Sequence, residues 1–183
     1  GAHEQASKLL EPWLDDHAND VALPLARSYV ERGKHLSALE TLETYSPGAG
    51  EEQLEASLIR AEALRLSRET VEALTLFKNV LSDKPSSEEA ITGIAKSYLD
   101  LNQPTETIER VDEWNSDNFP EAEPLYWKGM AQYEQNQLDK ASETLTEAVG
   151  AVPGSDIFLP IRGRILAGLS RVLTEQGRMT EAQ

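Results

Sequence analysis

The chain has 183 residues and a formal charge of −15, from 32 acidic and 17 basic side chains. That balance opposes binding to nucleic acid or an anionic membrane, where neutralising phosphates requires clustered Lys and Arg, and favours a neutral or basic partner, or simply solubility. Without Cys there are no disulfides, no thiol catalysis and no cysteine metal sites, and no apolar run is long enough to span a bilayer. Hydrophobic content of 39% with only 6% aromatic residues is lean for a globular enzyme but suits stacked helix pairs filled by Ala and Leu.

Gly1, Ala2 and His3 read as a tag remnant, and residues 4–16 predict a short helix with Ala6, Leu10 and Trp13 on its apolar side. No first helix precedes it, so 4–19 is expected to be a partial unit of an array entered part-way. Asp20 is placed to cap the next helix, which carries Leu23, Leu25, Ala26 and Tyr29 and stops near Gly33. Its partner covers roughly 35–45 and is broken by Ser46, Pro47, Gly48, Ala49 and Gly50. This turn is not a phosphate loop, because no strand precedes it and no Lys-Ser/Thr follows. Helices are expected over 51–66 and 69–82, then a capping box of Ser86 and Glu89 ahead of a helix over 87–101. Pro104 suits the first turn of a helix over 104–115 presenting Ile108, Val111 and Trp114, and Pro120 and Pro124 confine the next start to 123–124.

The stretch from Tyr126 to Pro153 reads as two one-sided helices joined by Gln135, Asn136 and Gln137. Trp127, Met130, Ala131 and Tyr133 recur at helical spacing in the first, and Leu138, Ala141, Leu145, Ala148 and Val149 in the second. Gly129 and Ala141 sit where the two helices must pack closely, and Pro153 ends the second. The same plan recurs along the chain. A small residue in the second helix falls at Ala38, Ala73, Thr107 and Ala141, in steps of 35, 34 and 34, with Leu42, Phe77, Val111 and Leu145 four places later. In the first helix the small-then-large pairs are Ala26/Tyr29, Ala61/Leu64 and Ala95/Tyr98. After Pro153 the next matching small residue, Ala182, comes 41 residues on, seven more than the period. Residues 156–160 are therefore expected to lengthen the last first-type helix by two turns, about 10 Å.

This pattern resembles the tetratricopeptide repeat, whose second helix carries Ala-x3-bulky and a late Pro. Lys128 at a usually apolar place and the aromatic displaced to Tyr133 are its departures. The resemblance implies an all-α fold, a right-handed superhelical array of antiparallel helix pairs, with units at about 20–50, 51–86, 87–121 and 122–155 and an incomplete pair over 156–183. It also implies a concave face lined by the first helices, which grips a peptide or helix of a partner. By register that face holds Leu23, Arg27 and Val30, then Leu58, Ile59, Glu62 and Arg65, then Thr92, Lys96 and Leu99. Tyr126, Trp127, Met130 and Tyr133 follow, and last Arg164 and Arg171. The two-carboxylate clamp that some members use for acidic C-terminal tails is not expected, because Leu23, Arg27, Ile59, Glu89 and Gly93 occupy its register.

No catalytic constellation stands out. His3, His17 and His35 lack a clustered second ligand, and Asp15-Asp16, Glu51-Glu52 and Glu88-Glu89 are sequence neighbours that do not face each other on a helix. Glu51, Glu52, Glu88 and Glu89 are explained by the helix dipole. No nucleophile elbow, metal box or P-loop occurs, so neither enzymatic activity, cofactor nor metal is expected. The expected function is a protein-interaction scaffold for a protein or peptide partner, with no nucleic acid and no membrane insertion. Its candidate contact residues are Tyr126, Trp127, Met130, Tyr133, Lys96, Arg164, Arg171, Leu58 and Ile59. Aromatics, Met and Arg are the residue types that carry interface energy. The alternatives are a spacer that oligomerises through an uncovered end at Leu166, Leu169 and Leu173, and an accessory domain of an enzyme.

Overall fold

The helical periodicity is realised in ten α-helices among the described residues. The computed structural model describes residues 2–46, 48, 50–117, 121–153 and 159–177, with the side chains of all but 115–117. Among these residues every regular element is a helix. The α-helices are α1 (Ala2–Leu10), α2 (Ala18–Glu31), α3 (His35–Glu43), α4 (Glu51–Leu66), α5 (Thr70–Asp83), α6 (Glu88–Asp100), α7 (Pro104–Asp117), α8 (Ala122–Glu134), α9 (Leu138–Ala151) and α10 (Leu159–Glu175). They form two compact units, α1–α5 and α6–α10.

In the first unit α2 packs on α1, α3 and α4, and α4 packs on α5. Its core gathers Leu25, Ala26, Tyr29, Ala38, Leu42, Tyr45 and Ile59. In the second unit α6 meets α7 and α8, and α9 is held between α8 and α10. Leu125, Ala141, Leu145, Ala148, Ile165 and Val172 make its core. The repeat register is a burial register. Ala38, Ala73, Thr107 and Ala141 are completely buried, and Leu42, Phe77, Val111 and Leu145 nearly so. Thr107 can replace the usual Ala because its Oγ1 donates to the Ala95 carbonyl on α6 at 3.1 Å, so no polar atom is left unpaired.

The backbone repeats the same count. Between the two helices of each pair one residue adopts the left-handed conformation: Gly33, Arg68, Asn102 and Asn136, then Gly177 after α10. Each lies five residues before the small residue of the register, so the steps are again 35, 34, 34 and 41. After each of the first four, the next N–H bonds back over a full turn, as in Lys34 to Tyr29, Glu69 to Leu64, Gln103 to Tyr98 and Gln137 to Gln132, at 2.8–2.9 Å. This is a Schellman-type closure that satisfies carbonyls at the helix end. Arg68 breaks the chemical pattern, since neither Gly nor Asn announces its turn.

Several local expectations are corrected. Trp13 lies in a short 3-10 turn, Glu11–Trp13, and is 57% exposed rather than packed with Ala6 and Leu10. Pro12 in that turn ends the α-helical run. Alongside these corrections, Ala2 and His3 of the expected tag remnant form the first turn of α1, and the His3 carbonyl accepts a hydrogen bond from Ser28 Oγ. Asp20 does not cap α2, which starts at Ala18 after His17 with no side-chain cap. The cap of α6 is Ser87, whose Oγ accepts the Ala90 N–H at 3.2 Å; the Ser86–Glu89 capping box does not form. Pro24 sits inside α2, a position the sequence reading passed over. The expected extension through 156–158 and the small residue Ala182 lie outside the described residues. On α10, Ile165 and Val172 are fully buried and Leu173 nearly so, whereas Leu166 is 46% exposed. The buried stripe of that helix is therefore set one place from Leu166, and Leu173 has its cover within the unit.

Candidate functional site

Seven of the nine candidate side chains come together in the second unit on the first helices of its pairs, Lys96 on α6, Tyr126, Trp127, Met130 and Tyr133 on α8, and Arg164 and Arg171 on α10. On α8, Tyr126, Met130 and Tyr133 recur at i, i+4 and i+7, so one face of the helix presents all three. All are half-buried, as is Trp127 beside them. Helix α10 runs alongside with a constant offset of 38 residues: Arg164 stands by Tyr126, Gly168 by Met130 and Arg171 by Tyr133. Gly168 makes this approach close. A Cβ there would lie 3.2 Å from Tyr126 Cε2 and 3.4 Å from Met130 Sδ, so both side chains lean against the bare backbone of α10.

Each aromatic ring carries a cation. The Arg164 guanidinium lies 5.2 Å from the Tyr126 ring centre, Arg171 4.7 Å from Tyr133, and Lys96 Nζ 5.6 Å from Trp127. Such pairs are worth about 0.5–1 kcal/mol at exposed sites. Tyr126 and Trp127 meet edge to face, 5.0 Å between centres. Two carboxylates, Glu123 and Glu175, bond to members of the strip. Glu123 accepts from Trp127 Nε1 at 3.3 Å and from Arg164 Nη2 at 2.5 Å. Tyr133 OH donates to Glu175 Oε1 at 2.5 Å and accepts from Arg171 Nε at 3.0 Å. The hydrogen bond to Glu175, ahead of partial desolvation, holds the Tyr133 hydroxyl above its ordinary pKa. Lys128, expected to be anomalous on this helix, pairs with Asp112 of α7 at 2.5 Å.

Leu58 and Ile59 do not belong to this cluster. Both are in the first unit, where Ile59 is a core residue, 5% exposed, packed with Tyr29 and Leu42, and Leu58 is half-buried. The helical phase was assigned one residue off: Ile59 and Ala63 face the core. An open hollow of about 710 Å³ on α4 and α5 is lined by Leu54, Ser57, Leu76, Val80 and Asp83 among others, and by none of the candidate residues. Sequence reasoning missed Glu123, Glu175 and Gly168, which arrange the cations and rings. Glu123 stands four residues before Trp127 and Gly168 four after Arg164, spacings that place each pair on one helix face. Among the described residues no group of three or more His, Asp or Glu side chains is arranged to hold a metal ion, and no helix is long and apolar enough to cross a membrane.

Residues 92–156 and 128–182 each match the family model described as tetratricopeptide repeat. A comparison with curated protein sequences gives no match. Among solved structures, a tetratricopeptide repeat protein from Parabacteroides merdae is similar with a TM-score of 0.70 at 14% identity, over 91% of this chain and 65% of that one. A kinesin light chain of Podosopora anserina with nearly identical TPR-like repeats is similar with a TM-score of 0.63 at 19% identity, covering 92% of each chain. MamA from AMB-1 is similar with a TM-score of 0.58 at 17% identity, over 91% of this chain and 84% of that one. At these identities the likeness is one of fold: helix pairs stacked as in tetratricopeptide repeat proteins.

Proposed function

From a chain that belongs to the tetratricopeptide repeat family, and so has the architecture of a protein-interaction scaffold, we infer that α6, α8 and α10 bind a segment of a partner protein. The observation that supports this reading is the contiguous strip of Tyr126, Trp127, Met130 and Tyr133, half-buried and flanked by Lys96, Arg164 and Arg171. A repeat array needs small and aliphatic residues to hold its helices together, and Gly129, Ala131, Leu125 and Leu145 do that here. Tyr126 and Tyr133 pack against that core with one side and, being half-buried, leave the other side of the strip accessible. Rigid rings and a polarizable thioether at a solvent boundary are suited to an apolar or amphipathic segment. The strip works by binding and positioning, without a covalent step. Selection of peptides on the chain, followed by titration against Trp127→Ala and against Glu143→Ala on the exposed face of α9, tests it. Loss of binding in Trp127→Ala alone is expected; equal binding by both variants with intact helicity would make the cluster plain packing.

A second reading, self-association, rests on Leu159 and Leu166, 59% and 46% exposed on α10. An exposed apolar stripe seeks burial. Sedimentation over a range of concentrations distinguishes it, since a strict monomer would remove it.

A further inference from the structure

We propose that the segment taken up by this strip is acidic as well as apolar, with carboxylates about two helical turns apart that engage Arg164 and Arg171. The inference rests on the partner-binding reading above and specifies its chemistry. It starts from how charge is divided within the second unit. Helices α7 and α9 carry eight carboxylates against two cations. Helices α6, α8 and α10 carry five cations against six carboxylates, and those six sit at the helix ends, at positions 88, 89, 100, 123, 134 and 175. Within the second unit the helices that bear the aromatic strip thus carry nearly balanced charge, while α7 and α9 are strongly acidic. Solubility alone would not sort the two helix sets in this way.

Geometry supplies the second argument. A guanidinium stacked on a ring uses its face and leaves its N–H edges for planar acceptors, so ring and carboxylate are bound together rather than in competition. Arg164 does so already: it lies over Tyr126 while its Nη2 donates to Glu123, and it keeps 43% of its side chain exposed. A carboxylate therefore fits this site, and the exposed edge can take a second one. Arg171 likewise lies over a ring, that of Tyr133, and donates its Nε–H to the hydroxyl of that same tyrosine. Seven residues separate the two arginines, about 10 Å along α10. A helical partner segment with acidic residues at i and i+7 matches that span, and its apolar side chains between them would face Met130. Its charge is opposite to the local cations and like the chain's own total, so recognition is short-ranged and the acidic surface elsewhere repels a misplaced segment.

The test is a selection of random peptides displayed on phage against the whole chain, with the pool depleted on Trp127→Ala. Trp127-dependent peptides enriched in Asp and Glu, bound at least tenfold more weakly by the Arg164→Gln/Arg171→Gln double variant, are the expected result. Arg164→Lys/Arg171→Lys should recover part of the loss, and circular dichroism should show unchanged helicity in both. Trp127-dependent peptides that are neutral or basic, or that ignore the arginine variants, would overturn the acidic preference and leave the binding strip standing. A selection that yields no Trp127-dependent peptide would overturn both.

Discussion

Gly129 on α8 faces Leu145 on α9 with no room for a methyl group: a Cβ there would lie 2.7 Å from Leu145 Cγ and 2.8 Å from Cδ2. Leu145 is fully buried and cannot swing away. Gly129→Ala would gain roughly 1 kcal/mol of helix propensity but incur about 1–3 kcal/mol of overpacking, so a net loss is expected. Thermal melts should show a lower Tm, and the same change in a Leu145→Ala background should be harmless or stabilising. A Gly129→Ala protein melting at or above the wild type would show that α8 and α9 do not cross there.

Arg68 is the one non-Gly, non-Asn residue among the left-handed turn positions, at φ 73°. Holding a side chain in that region costs about 1–2 kcal/mol, of which the larger unfolded-state freedom of Gly takes back roughly 0.4–1. Arg68→Gly should therefore stabilise the protein modestly, whereas Arg68→Ala should not. Urea midpoints of the two variants check this, and equal midpoints would mean that Arg68 is relaxed.

These two positions show what the sequence discloses and what it hides. Helix α4 was legible to the residue, as Glu51–Leu66, because its apolar spacing and flanking turns agree. The Ala/Leu register was legible because close helix crossings admit only small residues, and every such position among the described residues is buried. The cap at Ser87 was not, since Ser86 and Ser87 carry the same chemistry and only backbone geometry selects between them. The aromatic strip was legible as a set of phases on α8, but the cations over its rings depend on how α10 lies against α8, and no local pattern encodes that. Ile59 was misplaced because adjacent residues on a helix differ by about 100° in facing, so a one-residue error exchanges core and surface.

The displaced aromatic on α8 leads to a third expectation. Gln132 holds the place filled by Tyr29, Leu64 and Tyr98 in the earlier pairs; it is 5% exposed, and its Oε1 has no partner among the described residues. A buried amide oxygen without a donor costs about 1–3 kcal/mol. Gln132→Leu should raise stability by about 1 kcal/mol or more while leaving peptide binding intact, since Tyr133 and not Gln132 faces the strip. A fall in Tm would mean that the amide has a partner after all.

The last expectation concerns alkaline pH. Tyr29 is 9% exposed in the core of the first unit, and its hydroxyl donates to Glu11 Oε1 at 2.9 Å. Burial first, and the bond and charge of Glu11 next, push its pKa up from 10.0 to about 12; Arg32 opposes this and Glu40 adds to it. Lys34 also lies near the ring, at 5.7 Å. The native state thus favours the neutral phenol more than the unfolded chain does. Above pH 10 the unfolded chain loses the proton first, so the stability linked to Tyr29 is complete below that pH and lost as pH rises towards about 12. Tyr29→Phe removes both the hydrogen bond and the titration. It should be less stable than wild type near neutrality by about 1 kcal/mol. That deficit should shrink as pH rises above 10, because only the wild type loses the stability linked to the phenol. Urea unfolding of both proteins at stepped pH measures the difference directly, because every other group is common to the two. A deficit that stays constant from neutrality to the alkaline limit would show that Tyr29 titrates alike in the folded and unfolded chain.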